Sequence, residues 1–139
     1  MKSSLPRVSV LVLNLNGREY LDACLSSLEA QAYPRDCFEI VLVDNGSTDG
    51  SVAFVRDRYS RARVFALGAN GGFCAPYNAA IKTCDSEFVA LLNNDTRVDP
   101  HWLTELVSAA DRHNAVAVAS KILDWTGETI DFVGGVTSF

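Results

Sequence analysis

Apolar residues in this chain fall into short runs separated by stretches of helical periodicity. Residues 8–13 are apolar and β-branched without alternation, as expected of a strand buried on both faces. Asn16-Gly17 interrupts the run. Tyr20, Leu21, Cys24, Leu25 and Leu28 then recur three and four apart, predicting a helix with one apolar face that Tyr33-Pro34 ends. Residues 38–43 predict a second buried strand stopping at Asp44. Asn45-Gly46-Ser47-Thr48-Asp49-Gly50 is turn chemistry, with Ser or Thr available to cap a helix carrying Val52, Val55 and Tyr59. Residues 64–67 form a short third strand. The loop 68–72 leads into a helix over 74–84, which must start close to Pro76 because proline fits only the first turn. Residues 88–92 predict a fourth strand, ending in Asn93-Asn94-Asp95-Thr96. Asp99-Pro100 reads as an N-cap followed by proline at the first helical position, with Trp102, Leu103, Leu106, Val107 and Ala110 as the buried stripe. A fifth strand is expected over 116–123, and Thr126-Gly127 turns it into another extended piece at 129–133.

Strands alternating with helices predict an α/β, Rossmann-like, mostly parallel sheet with helices on both faces. Ligands of such sheets bind beyond the carboxyl ends of the strands. Asn14, Asn16, Asp44, Asn45, Asn70, Asn93, Asn94 and Asp95 all collect at those ends. Asn, Asp and Gly are ordinary in turns, but four such loops on one rim point to a ligand site.

Length and charge narrow its occupant. The 139 residues, 48% of them hydrophobic, fit one globular unit. A net charge of −5 without a Lys/Arg cluster argues against nucleic acid as a partner. No apolar run approaches the roughly 18 residues of a transmembrane segment, and residues 1–7 lack a secretory pattern. Cys24, Cys37, Cys74 and Cys84 form no CxxC pair and read as cytosolic thiols; His101 and His113 have no neighbour at metal-ligand spacing. A cytoplasmic protein is expected, or one peripheral to a membrane as part of a longer enzyme. Neither GxGxxG nor a P-loop is present, so the usual glycine cradles for nucleotides are missing.

Asp44 offers a carboxylate acceptor suited to the imide N–H of uracil or thymine, or equally an Asx turn. Asn70-Gly71-Gly72 lets backbone approach a ligand, and the next helix presents free N–H groups. Asp95 could hold Mg²⁺ together with a ligand diphosphate, because that ion keeps several waters and borrows substrate oxygens. Asp49 and Asp99 are assigned to helix starts.

The stretches 8–17 (VSVLVLNLNG), 41–51 (VLVDNGSTDGS), 70–73 (NGGF) and 91–96 (LLNNDT) together resemble the family 2 glycosyltransferases. The resemblance covers the chain from Val8 onward, and the Asn-Asn-Asp-Thr form is closest to rhamnosyltransferase-like members. It implies the GT-A fold and an inverting enzyme that takes a nucleotide-diphosphate sugar, UDP- or dTDP-linked, and a saccharide or lipid-linked acceptor. By resemblance, Leu13, Asn14, Leu15 and Asn16 line the base and Asp44 bonds it, with Asn45 beside it. Asn70, Gly71, Gly72 and Phe73 border the nucleotide-sugar, with Asn78 on the following helix. Asn93 lies near the ribose beside Asn94, and Asp95 holds Mg²⁺ or Mn²⁺.

Two positions depart from the pattern. Leu15 stands where the family often has an aromatic on the base, and Asn93 replaces the first acid of an Asp-x-Asp motif. No residue matches the family's catalytic base, which is expected beyond Phe139. Residues 1–7 are therefore read as a tail, and residues 8–139 as the nucleotide-sugar-binding portion of a truncated GT-A domain, inactive alone. A non-catalytic nucleotide-binding module is the alternative. A nucleotidyltransferase is disfavoured, since no glycine- and Lys/Arg-rich loop follows the first strand.

Overall fold

The computed structural model describes residues 5–133, which fall into two compact units divided after His101. The first unit alternates β1 (Val8–Asn14), α1 (Leu21–Glu29), β2 (Phe38–Asp44), α2 (Ser51–Arg58), β3 (Ala62–Ala66), α3 (Cys74–Ile81) and β4 (Phe88–Asn93). Its four strands are all parallel in the order β3-β2-β1-β4. The chain steps outward from β1 through β2 to β3, then returns to the other side of β1. Strand order therefore reverses between β1 and β4, the place where an open α/β sheet leaves a crevice.

The central strands are mostly apolar because little of either face meets solvent, and the interior polar positions, Ser9 and Glu39, are hydrogen-bonded to each other at 2.6 Å. Val8, Val10, Leu11 and Val12 of β1 and Ile40 to Val43 of β2 are all buried. Leu11, Val41 and Val43 pack with Tyr77 and Ala80 of α3, and Leu13, Phe65 and Val89 border that cluster. The opposite face, carrying Val10, Val12 and Leu42, is equally closed. Helices α1 and α2 are tied together where Tyr59 Oη donates to Asp22 Oδ1 at 2.6 Å and Arg58 pairs with the same carboxylate at 2.8 Å.

Local chemistry moves several boundaries from their expected places. Helix α1 ends at Glu29, well before Pro34, where Gln31 Nε2 takes the carbonyls of Ser27 and Asp99 at 3.2 and 2.7 Å. Tyr20 caps that helix from an exposed position and does not join its apolar face. Helix α2 is not capped by Ser or Thr. Gly50, at φ 84°, is the N-cap residue, and Asp49 Oδ1 takes the Ser51 N–H at 3.0 Å. Pro76 lies in the first turn of α3 as its geometry demands. Pro6 and Arg7, expected to be tail, are fastened: Pro6 O accepts from Tyr33 Oη at 2.6 Å and Arg7 O from Phe88 N at 3.1 Å.

The second unit holds α4 (Trp102–His113), β5 (Ile122–Leu123) and β6 (Ile130–Phe132). Helix α4 begins after Pro100, with Asp99 Oδ1 accepting the His101 N–H at 2.8 Å. Leu103, Val107 and Ala110 are its buried stripe, while Trp102 and Leu106 are half-buried. The expected long strand over 116–123 is not formed. Only Ile122 and Leu123 are extended, in an antiparallel pair with β6 rather than in the parallel sheet, and Val116 is fully exposed. The physical reason is local. Asp124 Oδ1 accepts from Thr126 Oγ1 and the Gly127 N–H, and Gly127 at φ 78° reverses the chain, so a short hairpin closes without a distant partner. The final residues, 134–139, and the catalytic base expected past them lie outside the described residues.

Candidate functional site

The carboxyl ends of β1, β2 and β4 are bound together by side-chain amides. Asn14 and Asp44 are in register on adjacent strands and both buried. Asn14 Nδ2 donates to Asp44 Oδ1 at 3.2 Å and to Ser47 Oγ at 2.9 Å, and its Oδ1 accepts from Asn94 Nδ2 at 2.7 Å. Asp44 Oδ2 accepts the N–H groups of Gly46 and Ser47 at 3.2 and 3.0 Å, an Asx turn. A carboxylate offers about four acceptor positions. Among the described residues three hydrogen bonds reach this one, two on Oδ2 and one on Oδ1.

Asn45 performs the same service on the other side. Its Oδ1 accepts the Gly71 N–H at 2.8 Å, and its Nδ2 donates to Asn70 Oδ1 and Gly72 O at 3.0 and 2.9 Å. The segment 70–72 is thus laced to the end of β2. Gly46 is required at this approach: at φ 92°, its Cβ would meet the Ala69 backbone at 2.9 Å. The β1–α1 and β2–α2 loops are joined in turn. Thr48 N donates to Asn16 Oδ1 at 2.8 Å, Asn16 N to Ser47 Oγ at 2.9 Å, and Arg18 N to Asp49 Oδ2 at 2.9 Å.

These ends frame an open cleft of about 380 Å³ lined by Leu13, Leu15, Asn45, Asn70, Gly72, Phe73, Asn93 and Asn94. Of the residues singled out from the sequence, Asn14 and Asp44 are buried and are not among the lining residues; they adjoin the lining through Asn94 and Asn45. Asn16 spends its side chain on the neighbouring loop, Gly71 gives its N–H to Asn45, and Asn78 is exposed on α3 outside the lining. Phe73, expected to border the nucleotide-sugar, is a wall of the cleft. Two contributors were not among the predicted site residues: Ser47, which bridges Asn14 to the Asn16 backbone, and Gly17, whose position leaves room for Asn94. A hydroxyl three residues past Asp44 was a readable sign of the first. The second depends on a contact across 77 positions of chain that no local pattern carries.

Asp95 follows directly after the lining residues Asn93 and Asn94 and is exposed. Its charge reaches the N-terminal end of α1. The phenol of Tyr20 is pushed above its ordinary range first by the charge and hydrogen bond of Glu19, and Asp95 adds to this. Cys24 is buried nearby, and burial pushes its thiol up to about 12 despite a hydrogen bond with Thr96. That thiol is protonated and inert at neutral pH. Among the described residues no three His, Cys, Asp or Glu side chains gather as a metal cage. A lone exposed carboxylate beside the cleft does fit an ion completed by ligand oxygens and water.

Comparison with known proteins bears on what this cleft serves. The sequence profile described as Glycosyl transferase family 2 matches residues 9–133. The chain is 29% identical to glycosyltransferase AglE of Haloferax volcanii over 142 aligned positions, covering 100% of this chain and 42% of that protein. It resembles the crystal structure of Staphylococcus aureus TarS 1-349 in complex with UDP-GlcNAc, with a TM-score of 0.71 and 32% identity over 78% of this chain and 32% of that one. It also resembles mannosyltransferase PcManGT from Pyrobaculum calidifontis in complex with GDP-Man and Mn²⁺, with a TM-score of 0.73 and 26% identity over 78% of this chain and 33% of that one. The chain spans less than half the length of each of these relatives. Its α/β sheet is of the GT-A type that these glycosyltransferase structures share.

Proposed function

The chain belongs to glycosyl transferase family 2, and on that premise we propose that it is the donor-binding portion of an inverting glycosyltransferase. The observation that carries the reading is the buried Asn14–Asp44 pair, which Asn94 links across the strand-order reversal between β1 and β4 to an amide-lined cleft. The Asp44 carboxylate suits a single imide N–H of uracil or thymine. Among the described residues the lining is neutral, without Lys, Arg or a carboxylate, so it offers hydrogen bonds to ribose and base edges and no charge to a diphosphate. Asp95 therefore completes the site by holding Mg²⁺ or Mn²⁺ jointly with the donor's phosphates. The neighbours named above with UDP-GlcNAc, and with GDP-Man and Mn²⁺, support a nucleotide-sugar and a divalent ion as its ligands.

In the complete reaction an acceptor hydroxyl, on a saccharide or lipid-linked glycan, loses its proton to a base and attacks the anomeric carbon from the face opposite the diphosphate. The bond to the diphosphate breaks and configuration inverts. This chain's residues seat the nucleotide and fix the leaving group's position; none of the described residues is assigned as the base. A bound divalent ion supplies Lewis-acid stabilisation of the departing diphosphate.

A second reading, a non-catalytic nucleotide-binding module, is favoured by a cleft lining that holds no acid or histidine among the described residues. Calorimetric titration with UDP, dTDP and GDP, with and without Mn²⁺, tests the donor site. Binding of a uracil or thymine nucleotide that Mn²⁺ tightens is expected, and no binding in either condition contradicts it. Turnover of a nucleotide-sugar by a longer chain carrying the same domain separates enzyme from module.

A further inference from the structure

Among the described residues Phe73 is the one aromatic lining the cleft, and it is 61% exposed. A large apolar ring left in water forgoes the stabilisation of burial, which makes its placement informative. The backbone before it is pinned. Asn45 Nδ2 holds the Gly72 carbonyl at 2.9 Å, and Gly72 takes φ 78°, a turn that delivers Phe73 to the N-cap position of α3. Its ring rests edge-to-face on Tyr77, with centroids 5.4 Å apart and planes at 76°. Tyr77 is itself buried, with its hydroxyl donating to Leu92 O at 3.0 Å. A braced ring on a rigid element is a platform rather than a loose surface side chain.

The surroundings select what lies on it. Leu13 and Leu15 line the same cleft, so the apolar wall is one ring and two aliphatic chains. Asn45 ties the segment before Phe73 to the end of β2 beside Asp44, whose carboxylate would take one N–H. A flat group with apolar faces and a hydrogen-bonding edge satisfies both features at once, and a nucleobase is such a group. Resting on the donor-site reading above, we propose that Phe73 is the stacking platform for the donor's base. The residue is then a determinant of base affinity, separate from the contacts that hold sugar and diphosphate.

The test compares uridine, UDP and UDP-GlcNAc binding to the full chain, its Phe73→Leu variant, which keeps apolar bulk without a ring, and Phe73→Tyr, which keeps the ring. The exposed site predicts an unchanged melting temperature for both variants. Phe73→Leu should weaken uridine and UDP alike by roughly five- to a hundredfold, the range seen when a base loses an aromatic partner. Phe73→Tyr should bind as the wild type does. Equal uridine affinity in wild type and Phe73→Leu would overturn the platform while leaving the donor site intact. A loss confined to UDP-GlcNAc would overturn it in favour of a sugar contact. If the wild type binds none of the three, the donor-site reading fails and the platform fails with it.

Discussion

Asn94 Nδ2 donates to Asn14 Oδ1 at 2.7 Å, joining the ends of β4 and β1 across 80 positions of chain. Asn14 passes the connection on to Asp44 and Ser47, so the loop that carries Asp95 and the loop after β2 share one buried amide. Buried amides with all partners in place hold one geometry, because any rotation leaves a polar group unpaired.

Gly17 is what makes room for this bond. A Cβ there would fall on Asn94 Nδ2 and within 2.9 Å of Asn14 Oδ1. Gly17→Ala should therefore displace Asn94 and weaken UDP binding by roughly tenfold, the cost of one lost buried hydrogen bond. Gly50→Ala is the control. Its φ of 84° strains a side chain, but open space surrounds it, so it should lower stability by about 1 kcal/mol and leave UDP affinity alone. Titration of both variants checks this; an unaffected Gly17→Ala would mean that the amide bridge does not position the site.

Asp44 gives a prediction that separates recognition from stability. If its carboxylate reads the imide, wild-type protein should prefer uridine over N3-methyluridine, which lacks that N–H. The preference is expected to be about 1–3 kcal/mol and to vanish in Asp44→Ala. Because both nucleosides are measured on the same variant, general loosening of the loop does not imitate the result. A preference that survives Asp44→Ala would remove Asp44 from base recognition.

Glu39 offers a pH test of the scaffold. Burial opposes its charge, but hydrogen bonds from Ser9 Oγ at 2.6 Å and Arg63 Nε at 3.3 Å, with the charges of Arg63 and Arg7, outweigh burial and hold the carboxyl below its ordinary value of 4.5. A carboxyl with a depressed folded pKa adds stability above its unfolded pKa and loses it as pH falls through the folded one. Glu39→Gln should thus melt below the wild type at pH 7. The difference should shrink as pH drops from about 4.5 through the lowered folded value. A gap constant from pH 7 to pH 3, followed by thermal melts, would contradict the assignment.

What could be read from the chain follows from the range of the interactions involved. Buried parallel strands need apolar side chains on both faces, so residues 8–13 and 38–43 declared β1 and β2 almost to the residue. The rim was legible because Asn and Asp cluster where those runs stop. The strand expected over 116–123 failed because an apolar run such as Val116-Ala117-Val118-Ala119 states a preference but not a partner. The Asp124–Gly127 turn then gave the chain a local one. Likewise, residue type could nominate Asn14 and Asp44, but whether they line the cleft or adjoin its lining depends on Asn94 and Ser47, both distant in sequence.

The central claim is that a nucleotide-diphosphate and a divalent ion occupy the cleft between the ends of β1, β2 and β4. Nuclear magnetic resonance of the ¹⁵N-labelled chain tests it most directly, using UDP with Mg²⁺ for shifts and trace Mn²⁺ for paramagnetic broadening. The account predicts shifts at Leu13, the side-chain amides of Asn45, Asn70 and Asn94, and Phe73. Broadening should centre on Asp95 only when UDP is present, and disappear in Asp95→Asn. Shifts gathered elsewhere, or Mn²⁺ broadening indifferent to UDP and to Asp95→Asn, would contradict it.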